Sequence, residues 1–141
     1  MKETIPSKKL TDFTLPKEIQ AIPIESNFRK SKWLLLPIYR PHTMPVPFFV
    51  EQVSTLLYHY HDRYDNIINL GDFHLDADDS KQNPLIERHN LIKEPTCFKR
   101  KEGSCIDLIL TNKKHIFFNN KSFETEMRGH HLIILRGNLI L

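Results

Sequence analysis

The chain has 141 residues, 40% hydrophobic and 26% charged, with a formal net charge of +3 and a pI near 8.9. This is the size and composition of one globular domain with a sizeable core, and it excludes a disordered or low-complexity chain. The charge suits a polyanionic partner but falls short of a basic arm, and the longest apolar run, Trp33 to Ile38, is far too short to cross a bilayer.

The N-terminal "MKETIPSKKL" lacks the apolar core of a secretion signal. "IQAIPIE", Ile19 to Glu25, alternates apolar and polar residues and predicts a strand. "SKWLLLPIY", Ser31 to Tyr39, is a continuous apolar run and predicts a strand buried on both faces. The prolines of "RPHTMPVP" make the next segment a loop. From Phe48, "FFVEQVSTLLYHYHDRY" sets Phe49, Val53, Leu56, Leu57 and Tyr60 on one helical stripe, with Glu51 and Gln52 opposite and Pro47 suited to the helix start. The strand "NIINL" follows, then an Asp-rich loop, then a short helix over "NPLIERHNLIK". "SCIDLILTN", Ser104 to Asn112, "HIFFNN" and "HHLIIL" are the last strand-like runs. Cys97 and Cys105 have no zinc-ligand spacing and read as small apolar residues of a reducing, intracellular compartment, nuclear or cytoplasmic.

Chemistry-bearing residues fall at strand ends. Asp72 and His74 lie two apart after "NIINL", so an extended backbone aims them to one side. Asp107 stands inside the apolar "CIDLIL", where a carboxylate is costly without a partner. His130 and His131 precede the last apolar run. Aspartate and histidine so placed are the equipment of metal-assisted hydrolysis, with a carboxylate to orient water and an imidazole to donate to a phosphate oxygen. Each has a plainer reading: a Gly-Asp turn for Asp72, exposed loop histidines for His130 and His131. The eight histidines show no HxxxH spacing, and the one HxH, His59 and His61, falls in the helical stretch, where residues two apart do not face each other; this gives zinc little support.

Taken in order, "IYRP", a helix, "NLGDFHLD", "PTCF", "SCIDLILTN" and "HHLII" resemble the endonuclease/exonuclease/phosphatase superfamily. They look most like the endonuclease domain attached to reverse transcriptases of non-LTR retrotransposons, whose strings are Y-x-P, GDFN, S-x-IDLIL and SDH. The likeness runs from about Ile19 to the last strand; the ordered set is specific, while any one motif is weak. It implies an α+β fold, part of a four-layer α/β/β/α sandwich, with residues 1–141 a partial domain whose N-terminal portion is missing. It implies that Tyr39 contacts the scissile phosphate, Asp72 aligns or activates water, and His74 stands where an asparagine donates to the phosphate. Asp107 would orient a catalytic histidine, and His130 would be that histidine. Mg²⁺ and DNA are the cofactor and partner implied.

The departures matter as much. The SDH aspartate is replaced by Gly129, and the GDFN asparagine by His74, an imidazole whose charge varies with pH. The family's metal-binding glutamate has no counterpart before Tyr39, since Glu18 and Glu25 lie in the wrong context, so no metal ligand is assigned. These losses predict weak or absent nuclease activity. A non-catalytic nucleic-acid-binding module, with "FKRKEG" (Phe98 to Gly103) as its phosphate patch, and a non-functional transposon relic are the alternatives. A sheet face left open by the missing portion predicts association through that face.

Overall fold

The computed structural model describes residues 4–73, 84–89, 91–93, 107–113, 117–124 and 131–137. Its main sheet contains β1 (Ser7–Lys9), β2 (Gln20–Ala21), β3 (Ile24–Phe28), β4 (Ser31–Tyr39), β5 (Asn66–Asp72), β6 (Ile92–Lys93) and β7 (Asp107–Thr111). Their order is β1-β3-β4-β5-β7-β6, with β2 also paired to β4. Only β4 and β5 run parallel among these pairs, and the helix α1 (Val46–Tyr60) makes the crossover between them. A short helix, α2 (Pro84–His89), precedes β6, and β8 (Phe117–Glu124) pairs with β9 (His131–Gly137) as an antiparallel ribbon. The architecture is α+β, as expected.

The apolar stripe of α1 covers one face of the sheet. Phe49, Val53, Leu56, Leu57 and Tyr60 are buried as the periodicity predicts, with Val50 and Ser54 beside them. They pack with Leu34, Leu36 and Ile38 of β4, Ile67 of β5 and Leu110 of β7. Strand pleating sends the alternate residues of β4 to the far face. There Trp33 is buried, Leu35 and Pro37 are half-buried and Tyr39 is exposed, so β4 is packed under a helix on one side, while on the other, expected to be buried as well, the cover thins toward Tyr39.

The predicted strand Ile19–Glu25 is split. Pro23 has no N–H to give a ladder; β2 ends before it, β3 begins after it, and its carbonyl accepts instead from the Leu10 amide at 2.8 Å. The same break accommodates Pro37 inside β4. The Pro37 carbonyl accepts from the Ile22 amide at 3.2 Å, so the missing Pro37 N–H falls where the neighbour changes from β3 to β2. A two-residue turn with Arg29 and Lys30 both left-handed, at φ 49 and 63, joins β3 to β4. That conformation matches the twist of an antiparallel pair.

β1 carries no sequence signal, because its three residues are all exposed at the sheet edge. The N-terminal segment is held by its tail instead. Asp12 accepts from the Tyr60 hydroxyl at 2.7 Å and Arg63 Nη1 at 2.9 Å, and lies 3.1 Å from His59 Nε2. Tyr60, Arg63 and His59 together hold the Asp12 carboxyl well below the usual range, while burial and the bond to Asp12 push the Tyr60 hydroxyl up.

Candidate active site

β5 ends in Leu70-Gly71-Asp72, and its last residues are shaped by contact with β4. Gly71 has φ +145, and a Cβ there would lie 1.8 Å from the Ile38 carbonyl oxygen. Only glycine admits that conformation and that approach. The chain then lets the Arg40 amide donate to the Asp72 carbonyl at 3.0 Å. The ends of the two parallel strands are thereby locked side by side.

The register brings the expected residues into a row. Pro37 of β4 pairs with Leu70 of β5, and the same register carried two residues on sets Tyr39 beside Asp72. Across the other edge of β5, position 107 of β7 stands directly opposite Asp72. Cross-strand partners share a sheet face, so positions 39, 72 and 107 lie together on the face away from α1. Tyr39 is 37% exposed and Asp72 is half-buried. His74 and His130, like Gly129 and the basic stretch 98–103, lie outside the described residues.

Two further residues belong to this edge. Gln20 of β2 is exposed and in register with Tyr39. Nothing in the local sequence marks it, since its place depends on pairing with a residue nineteen positions along the chain, 39 − 20 = 19. Arg40 follows Tyr39 and is buried, 4% exposed. Its Nε donates to the Phe73 carbonyl at 2.6 Å, and its Nη1 to the carbonyls of Met44 and, at 3.4 Å, Pro41. Its guanidinium lies 6.0 Å from the Phe49 ring centre. Burial lowers its pKa and the Asp72 carboxylate acts in the opposite sense. Nothing in the local sequence marks Arg40 for burial.

Glu25 takes no part in this edge. It sits on the helix side of β3, accepts from the Tyr64 hydroxyl at 2.8 Å and lies 3.3 Å from Lys8 Nζ. The Tyr64 hydroxyl and Lys8 hold its carboxyl low against the effect of burial. Burial and the Glu25 bond push the Tyr64 hydroxyl up to about 12.

Among the described residues no three His, Cys, Asp or Glu side chains gather as a metal site. Mg²⁺, however, is commonly held by one or two carboxylates with water and substrate phosphates completing the shell. At this edge Asp72 offers one such carboxylate.

The chain is similar in fold to the endonuclease domain of TRAS1, a telomere-specific non-LTR retrotransposon. It superposes with a TM-score of 0.71 over 96% of this chain and 69% of that one, at 14% identity. This is the endonuclease/exonuclease/phosphatase fold. A family member from Leptotrichia buccalis C-1013-b gives a TM-score of 0.63 at 15% identity, covering 96% of this chain and 60% of that one. Another, from Bacteroides thetaiotaomicron, gives 0.52 at 12% identity over 95% and 60%. No family sequence model and no curated protein matches the chain. The chain thus spans between three-fifths and seven-tenths of these endonuclease/exonuclease/phosphatase structures. Among the described residues no helix is long and apolar enough to cross a membrane.

Proposed function

We propose that the chain is a phosphodiesterase of the retrotransposon-endonuclease kind, which hydrolyses DNA slowly with the help of a divalent ion. The observation that carries this reading is the row of positions 39, 72 and 107 at one end of adjacent strands, on a fold shared with nucleases. In this reading the Tyr39 hydroxyl donates to a non-bridging oxygen of the scissile phosphate. The Asp72 carboxylate accepts a hydrogen bond from the attacking water and fixes its approach in line with the leaving oxygen. Asp107 orients the His130 imidazole, which donates to the same phosphate. A divalent ion held by Asp72, water and the substrate phosphate would supply charge that offsets that building on the phosphate.

The departures from the family strings would make that hydrolysis slow. Gly129 supplies no carboxylate, and an imidazole at position 74 is a bulkier donor than an amide.

Plasmid nicking tests the reading. Supercoiled DNA is incubated with the folded chain in Mg²⁺, Mn²⁺ or EDTA, beside Asp72→Ala and His130→Ala. Metal-dependent nicking is expected, with each substitution lowering the rate about 10²-fold or more. Folded protein that nicks under none of these conditions, or nicks equally well as Asp72→Ala, would overturn it.

A further inference from the structure

Arg40 is placed where it touches the main chain on which Asp72 depends. Its own amide donates to the Asp72 carbonyl at 3.0 Å, and its Nε to the next carbonyl, that of Phe73, at 2.6 Å. Both peptide groups on the C-terminal side of Asp72 are therefore held by one residue. The other arm of the guanidinium reaches back to the carbonyls of Pro41 and Met44, in the turn that leads into α1. A single planar fork thus joins the end of β4, the end of β5 and the start of the crossover helix.

This is a costly choice for a side chain with no packing role alone. A guanidinium out of water is unfavourable unless its donors are satisfied, and a leucine or methionine would fill space beside Phe49 without that cost. What an apolar residue lacks is a set of donors in fixed geometry and a charge near the Asp72 carboxylate. With 4% of its surface exposed, Arg40 has no route to a substrate.

We propose that Arg40 is a positioning residue, which holds the main chain after Asp72 and sets that carboxylate beside Tyr39. The proposal rests on the phosphodiesterase reading above. Misplacing a reacting group by about 1 Å costs about 10²-fold in rate, so loss of the fork is read in kcat. Lysine keeps the charge, but its three donors radiate from one nitrogen and do not span two carbonyls in a plane. Methionine keeps neither.

The experiment compares nicking kinetics of the unaltered chain, Arg40→Lys, Arg40→Met and Asp72→Ala, each normalised to folded protein by thermal melting. Arg40→Met is expected to lower kcat about 10²-fold while KM stays within about 3-fold, and Arg40→Lys to recover part of that loss. A residue that only stabilises the fold would lower the melting temperature and leave kcat per folded molecule unchanged. Should Arg40→Met not fold, Arg40→Lys decides: folded and with full kcat, it overturns the proposal. An unaltered chain that folds but does not nick removes the phosphodiesterase reading and this proposal with it. Nicking that survives at full kcat in Arg40→Met removes the proposal alone.

Discussion

Gly71→Ala is the sharpest test of how the site edge is built. The new methyl would lie 1.8 Å from the Ile38 carbonyl oxygen, 2.9 Å from its carbon and 3.1 Å from its amide nitrogen. All three are backbone atoms of the adjoining strand, so no side chain can swing away. Normal contact requires β4 and β5 to separate by more than an ångström (roughly the shortfall from van der Waals distance), in the one parallel pair that carries both Tyr39 and Asp72. Backbone strain at φ +145 adds to the overlap. The strain is worth about 1–3 kcal/mol and the overpacking another 1–3, together about 2–6 kcal/mol. Set against a domain stability of about 5–15 kcal/mol, that is a large share. At about 2–4 °C per kcal/mol for a chain of this size, the melting temperature should fall by about 5–20 °C. Urea denaturation followed by circular dichroism measures the free energy, and calorimetry the temperature. A loss below about 0.5 kcal/mol, the range of an ordinary surface substitution, would refute the close approach of β5 to β4.

Other outcomes follow from groups around the core. Asn69 is fully buried, and among the described residues neither its amide nitrogen nor its oxygen has a hydrogen-bond partner. Asn69→Leu should therefore raise stability by about 1–2 kcal/mol in urea titration, since the unmade bonds carry that order of penalty; destabilisation would mean that the amide is satisfied by bound water. Stability should also be domed in pH. The carboxyls of Asp12 and Glu25 are held below their ordinary values of 3.8 and 4.5, so what they contribute is present above those values and is lost as acid protonates the folded state. The Tyr64 hydroxyl is raised from 10.0 to about 12, so its contribution is present below pH 10 and is lost on going up toward 12. Thermal melting from pH 2 to 12 checks both limbs, and Tyr64→Phe should flatten the alkaline one.

Much of the architecture was legible one segment at a time. The 3.6-residue stripe from Phe49 to Tyr60 gave α1, and the run ending at Tyr39 gave β4 with its full bounds, because burial of one face forces a period that propensity alone need not follow. "NIINLGD" gave β5, and the order of the motifs gave the fold. What escaped was what depends on neighbours. β1 has no apolar face to betray it, the strand expected over 19–25 breaks where Pro23 lacks a donor, and Gln20 joins the edge only through pairing with β4.

The sequence by itself determined which residue types were available for chemistry: the acid at position 72 after a glycine, the acid within "CIDLIL", and the tyrosine that ends an apolar strand. Periodicity and chain order are local properties, and they suffice for that much. Tertiary structure alone decided that Tyr39 and Asp72 come from parallel strands in register, that position 107 stands opposite 72, and that a buried arginine holds the edge together. Strand register and the burial of a charge arise from contacts tens of residues apart, and no local pattern encodes them.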